Sequence, residues 1–302
     1  MTGPLPVVLD CDPGHDDAIA LLLALGNPAL ELRAVTTVAG NGTLERVTEN
    51  AQRILTLAGA LDIPLAAGAA GPLAGGPAIT APGIHGESAL DGPVLPEPAV
   101  ALDPRPAAEL LAASADTLIA TGPLTNVAQA LDLGAAPREI VWMGGSTARG
   151  NRSPYAEFNA AVDPEAVARV LASGIPFTLV GLNLTHQALA TDAVVTRVRA
   201  VGGPVAEAVA GWLRFFADSY RTVFGFTAPP VHDPCAVARL IAPEVVRCVD
   251  AFVAVELDGR WTRGATVVDL DGTLGEAPNA RVALELDFAA FWDLVVEAVA
   301  RL

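Results

Sequence analysis

The sequence predicts an α/β fold: one domain over residues 1–302, with a mostly parallel, Rossmann-like central sheet flanked by helices and an active site at the carboxyl ends of the strands. Three observations predict it. Short β-branched apolar runs alternate with longer helical segments, and that alternation builds parallel sheets covered on both faces. Asp103-Pro104 and Asp163-Pro164 read as helix starts, a capping carboxylate followed by proline in the first turn. The unusual polar residues fall just after the strand candidates, where ligands of such folds gather.

The elements follow in order. Val7-Val8-Leu9 reads as a buried strand running into an acidic turn, and Asp16 to Gly26 as a helix with acids in its first turn. Leu32 to Val38 is a second strand, and Thr43 to Gly59 a helix with Thr43 at its N-cap. Asp103-Pro104 opens a helix to about Ala113. Thr117 to Ala120 is a strand, Pro123 to Leu131 a helix, and Ile140 to Met143 a strand. Asp163-Pro164-Glu165 opens another helix, and Phe177 to Val180 is another strand. Val205 to Phe224 reads as a helix standing off the sheet. Val249 to Leu257, Ala265 to Val268 and Val282 to Leu286 read as terminal strands, closed by a helix from Asp287 to Leu302. The Gly- and Pro-rich stretch from Gly68 to Pro98 reads as a loop, and loops that long are more often functional than idle.

Composition narrows the partners. The formal net charge is −16 and there is no lysine, so phosphate backbones are repelled and nucleic acid is excluded as a partner. No apolar run reaches the length of a spanning helix, and no basic segment precedes an early apolar stretch. The expectation is a cytoplasmic protein with no membrane partner. Cys11, Cys235 and Cys248 lack metal-site spacing and read as free thiols.

The chemistry concentrates at Asp10-Cys11-Asp12-Pro13-Gly14-His15-Asp16-Asp17, four carboxylates in eight residues. Like charges so close repel unless a cation compensates, and hard divalent cations take such oxygen ligands. An acidic turn that merely caps the next helix would account for Asp16 and Asp17 but not for Asp10 and Asp12. An EF-hand fails: its loop needs Gly at position six and Glu at twelve, and counting from Asp10 those places hold His15 and Leu21.

The segment Asp10 to Ala18 resembles the N-terminal signature of the inosine–uridine-preferring nucleoside hydrolase family. The resemblance continues through Thr36-Thr37-Val38-Ala39-Gly40-Asn41, Gly83-Ile84-His85-Gly86-Glu87-Ser88 and Thr121-Gly122-Pro123-Leu124-Thr125-Asn126. It extends to Met143-Gly144-Gly145, Ala156-Glu157-Phe158-Asn159 and Val231-His232-Asp233-Pro234. Each motif alone is weak; seven in order are strong.

The resemblance implies calcium-dependent hydrolysis of the N-glycosidic bond of ribonucleosides to ribose and free base, purine or pyrimidine, and a homodimer or homotetramer. By position it implies that Asp12 contacts both Ca2+ and the attacking water as general base. Asp17, Asp233 and a backbone carbonyl of the 121–126 turn, assigned to Thr121, complete the metal ligands. Asp16, Asn151, Glu157 and Asn159 resemble the ribose-binding groups, Asn41 a residue beside the metal, and Met143 one beneath the sugar. Asp10 is implied to orient the others. His85 and His232 are implied near the base, with His232 the candidate proton donor. The reaction asks for these parts independently: an activated water, a rigidly held ribose and a donor for the departing base.

The remaining residues have plainer readings. His15 reads as a solvated counter-charge within the acidic turn, and His186 as structural. Tyr220, Phe224 and Phe226 read either as an apolar wall for the base or as helix packing. Two rival functions remain: a calcium-dependent nucleoside or ribose binding protein without turnover, and a carboxylate-rich metal phosphohydrolase. The second is disfavoured because phosphate calls for cations, and the motifs offer only Arg149 and Arg152, beside Asn151.

Overall fold

The computed structural model describes residues 3–114 and 116–302. Its strands and helices run in the order β1 Leu5–Cys11, α1 His15–Gly26, β2 Leu30–Thr37, α2 Leu44–Leu57, β3 Leu65–Ala67, α3 Pro82–His85, α4 Ala107–Ala112 and β4 Thr117–Ala120. There follow α5 Thr125–Asp132, β5 Ile140–Met143, α6 Phe158–Val162, α7 Pro164–Leu171, β6 Phe177–Val180, α8 Leu182–Thr185, α9 Asp192–Val201 and α10 Gly203–Phe224. The chain closes with α11 Pro234–Ile241, β7 Val246–Val255, β8 Thr266–Asp269, β9 Ala280–Leu286 and α12 Phe288–Arg301.

One nine-stranded sheet runs in the order β3-β2-β1-β4-β5-β6-β9-β7-β8. Strands β3 to β9 in that order are mutually parallel; β7 and β8 join antiparallel at one edge. Successive side chains of a strand face opposite sides. Val7, Leu9 and Cys11 accordingly enter the core under α1, α10, α11 and α12, while Val8 enters the one under α4, α5 and α7. The mostly parallel α/β architecture expected from the alternation is present, with both faces covered.

Helix α1 explains why the acidic turn is held so firmly. Eleven of its twelve residues are buried, and it packs on α12, α11, α10 and β2. A Cβ at Gly26 would lie 2.4 Å from the Ala298 carbonyl oxygen, so glycine is what lets α1 and α12 meet. Helix α10 rests on α9, α3, α1 and α12 and stands off the strands as expected. No helix among the described residues is long and apolar enough to cross a membrane.

Several elements differ from the sequence reading. Asp163 caps α7, accepting from Ala166 N at 3.0 Å. The helix expected from Asp103-Pro104 starts instead at Ala107. Arg105 precedes Pro106, and a residue before proline is pushed out of helical geometry; the Asp103 carboxylate turns to the Arg105 backbone and guanidinium. The helix expected from Pro123 begins at Thr125. Strand β3 and helices α6, α8 and α9 lie outside the expected elements, and α3 forms one helical turn inside the stretch expected to be loop. His15 is not solvated: it has no exposed surface, stacks on Phe215 at 4.9 Å, and its Nε2 lies 2.9 Å from the Asp91 carbonyl oxygen.

Candidate active site

Parallel strands deliver their carboxyl ends to one edge of the sheet, and the turns that follow β1, β2, β4 and β5 meet there with the start of α11. Asp12 lies in the first turn. Its Oδ2 accepts from Asn41 N at 2.6 Å, while its Oδ1 is buried with no hydrogen-bond partner. Two glycines make room for this carboxylate: a Cβ at Gly40 would stand 2.1 Å from Oδ2, and one at Gly122 2.7 Å from Oδ1. Asp17 accepts from four donors: Asp12 N at 3.2 Å, Thr121 Oγ1 at 2.7 Å, Gly14 N at 3.1 Å and Asn41 Nδ2 at 3.0 Å. Asp16 accepts from His232 N at 3.3 Å, which ties the start of α1 to the start of α11. One oxygen each of Asp16, Asp17 and Asp233 lie within 4.8 Å of one another.

The charge arithmetic of this cluster is unfavourable as it stands. Burial pushes the carboxyls of Asp10 and Asp16 up to about 7 and those of Asp12 and Asp233 well above the usual carboxylate range. Neighbouring carboxylates raise all four further, Asp17 among them. Among the described residues no arginine pairs with any of them. Such a cluster could hold a cation. The hard oxygen donors and the unpartnered Asp12 Oδ1 fit a divalent metal ion. Asp10 faces away from this group: its Oδ1 accepts from Thr36 Oγ1 at 2.6 Å and Asn126 Nδ2 at 2.8 Å.

Above the cluster opens a cavity of about 300 Å³. Asp16, Asn41, His85, Thr121, Met143, Asn151, Glu157, Asn159, His232 and Asp233 all line it. Asp12 and Asp17 lie beneath, with no exposed surface. The sequence-derived set is thus brought to one place. Asn159 donates to the Thr121 and Met143 carbonyls at 2.7 and 3.0 Å. Glu157 caps α6 and accepts from Gly145, Asn159 and Ala160 N–H groups, yet burial still raises its carboxyl to about 7.

The opposite wall is aromatic and imidazole-bearing. Burial, and then His186 nearby, push the His232 imidazole down to about 3. His232 Nδ1 lies 2.7 Å from Thr185 Oγ1 and its Nε2 2.7 Å from the Tyr220 hydroxyl. His85 is 5 % exposed, so it is no surface residue, and its Nδ1 lies 3.0 Å from His15 Nδ1. Burial, and then His15, hold it well below the usual imidazole range. Phe216, Tyr220 and Phe224 complete this wall.

The family model described as inosine-uridine preferring nucleoside hydrolase matches residues 7–293. The chain belongs to that family. A pyrimidine-specific ribonucleoside hydrolase, RihA, of Shewanella woodyi is 47 % identical over 97 % of both chains. The RihA protein of Salmonella typhimurium is also 47 % identical, over 97 % of both. A solved purine-preferring ribonucleoside hydrolase from Gardnerella vaginalis superposes with a TM-score of 0.91 at 27 % identity, covering 98 % of each chain. The chain is accordingly an N-glycosyl hydrolase of ribonucleosides. A purine-preferring relative shares this fold, so the fold alone does not fix base preference.

Two residues bonded to His232 have no clear local signal in the sequence. Thr185 sits on α8, a four-residue helix with no legible pattern. Tyr220 was read as wall or packing, but its hydroxyl is bonded to His232. The only available signal was its place near the end of a long amphipathic helix, four residues before Phe224.

Proposed function

We propose that the chain hydrolyses pyrimidine ribonucleosides, with a resident Ca2+ held by Asp12, Asp17, Asp233 and the Thr121 carbonyl. The observation that carries this reading is the cluster of buried carboxylates without counter-charge on the floor of the cavity. The pyrimidine preference is supported by the relatives that are 47 % identical. Bound there, the cation would polarise water and anchor vicinal ribose hydroxyls.

The chain's own residues do the rest. Asp12, whose Oδ1 has no other partner, takes the proton of the attacking water. Asn41 holds Asp12 and Asp17 in place through its N–H and amide. Asp16, Asn151, Glu157 and Asn159 take the ribose hydroxyls, and Met143 packs beneath the ring. The acid-lined pocket stabilises the positive charge that grows on the ribosyl group as the C–N bond opens. His85 borders the base. His232, neutral in the free protein and bonded to the Tyr220 hydroxyl, is the route for the base's proton: it first takes one up from solvent and then passes it to the departing nitrogen.

The chain works as one unit over residues 1–302, in the cytoplasm, as a homodimer or homotetramer. Its three unpaired thiols support the compartment. Exposed Trp261, Val267, Leu270 and Leu274 around the β8 edge support the assembly. A monomer in light scattering would contradict it.

Incubation with uridine, cytidine, inosine and adenosine, with and without a calcium chelator, tests the reaction. Chelator-sensitive ribose release, greatest from uridine and cytidine, is expected. Tight nucleoside binding without release would replace this reading with that of a binding protein.

A further inference from the structure

The loop between β5 and α6 holds two arginines that the nucleoside reaction leaves unused. In a chain of net charge −16, ten of eighteen arginines are paired with carboxylates. Arg149 and Arg152 are not among those pairs, although acidic groups abound. Both are exposed at the cavity rim, one on each side of Asn151. The loop is built to hold them there. Gly150 N donates to the Pro154 carbonyl at 3.1 Å, and Arg152 N and Ser153 N donate to the Ala156 carbonyl at 3.1 and 3.2 Å. Asn151 points inward, and its Oδ1 is buried without a partner.

Past Asn151 a second chamber of about 460 Å³ opens, sharing Asn151, Tyr220 and Phe224 with the first and holding Arg149 and His186. The stereochemistry of a ribonucleoside says what belongs in it. The 2′ and 3′ hydroxyls share one face of the ring, while the base and C5′ share the other. With the vicinal hydroxyls on the carboxylate cluster and the base at the His232–Tyr220 wall, we assign the 5′ oxygen to Asn151, whose buried Oδ1 has no partner. The chamber bounded by Tyr220 and Asn151 then continues from the 5′ oxygen, with Arg149 in its lining and Arg152 in that of the first cavity. Arginine forks match phosphate geometry, and here they offset the negative field of the acidic floor.

We propose that the enzyme also accepts ribonucleosides bearing a 5′-phosphate, pyrimidine nucleoside 5′-monophosphates, and hydrolyses their N-glycosidic bond. This rests on the ribose placement given above. The water oxygen bonds to C1′ and the C1′–N bond breaks with its electron pair on the base. The base takes up a proton and the second water proton leaves through Asp12. The products are free pyrimidine and ribose 5-phosphate, with the phosphate ester untouched.

The test uses the intact, calcium-loaded protein with uridine and with uridine 5′-monophosphate, following uracil by chromatography and phosphorus species by ³¹P NMR. Uracil and ribose 5-phosphate are expected in equal amounts from the nucleotide. In the Arg149→Ala/Arg152→Ala double variant, the ratio of kcat/KM for nucleotide over nucleoside falls about tenfold or more; the double lysine variant restores part of it. Uridine turnover with no uracil from the nucleotide overturns this proposal alone. So does uracil that appears only after free phosphate, or a ratio unchanged in the double variant. Silence on both substrates overturns the nucleosidase reading as well.

Discussion

The role given to His232 and Tyr220 can be separated from everything else in the cavity by changing the leaving group. His232 is bonded at both nitrogens, to Thr185 Oγ1 and the Tyr220 hydroxyl, each at 2.7 Å. Both His232 and Tyr220 are 5 % exposed. Removing the hydroxyl with Tyr220→Phe leaves a buried imidazole nitrogen without its partner, which costs about 1–3 kcal/mol of stability. Removing the ring with His232→Ala deletes the donor itself, and general acid assistance is worth about 10²- to 10⁴-fold, roughly 3 to 5 kcal/mol of barrier. On uridine, kcat for His232→Ala should therefore fall into that range, and Tyr220→Phe should fall part of the way. A p-nitrophenyl riboside needs no proton, because its phenolate is a stable leaving group. Its hydrolysis should change less than about threefold in either variant, a small fraction of the general-acid effect. Stopped assays of both substrates, with thermal unfolding to confirm the fold, decide the matter. An equal loss on uridine and on the p-nitrophenyl riboside would refute the reasoning, because it would mean that these side chains shape the pocket instead of serving the base.

Other outcomes follow from the same geometry. Asp12→Ala should lower turnover of uridine by about 10²-fold or more with a cooperative unfolding transition retained; near-normal turnover in a well-folded variant sinks the general-base role. Calcium at about a hundred times its dissociation constant should stabilise the chain by about 2.7 kcal/mol, roughly 5 °C in melting temperature, and a scan showing no shift on chelation would remove the cation from the cluster. Gly122→Ala places a methyl 2.7 Å from Asp12 Oδ1 and should reduce kcat while sparing folding, read by comparing kcat with the unfolding midpoint. Cys11 and Cys235 are buried, with burial pushing both thiols up, while Cys248 is half-buried; one equivalent of thiol should react in the native protein and three in denaturant.

Strands β4, β5 and β6 were legible because each is a short, mostly apolar run that is buried along its whole length, a pattern fixed by cover on both faces. Asp10, Asp12, Asp16 and Asp17 were legible because they crowd the turn after β1, where backbone topology dictates the location, whereas Glu157 and Asp233 head α6 and α11 and were legible through the family's motifs. What was not legible depends on contacts across the chain. The fate of Asp103 turned on Pro106 three residues later. The burial of His15 came from Phe215 and Asp91, 200 and 76 positions away. Tyr220 and Thr185 acquire their part only when α8 and α10 converge on His232, and no local pattern encodes that.

Helix α1 carries Asp16 and Asp17 and has no solvent face. Its amide protons should exchange with solvent only when the whole molecule opens, so the carboxylate-bearing side of the pocket is as rigid as the fold itself. Substrate entry and product exit must then be handled by the other rim, formed by α10, the 68–98 loop and the loop between β5 and α6. Selection on this enzyme meets an unequal surface: changes beneath the sugar are tested against folding and chemistry at once, whereas exposed positions of the rim loops, Arg149 and Arg152 among them, can be rewritten at little risk to stability.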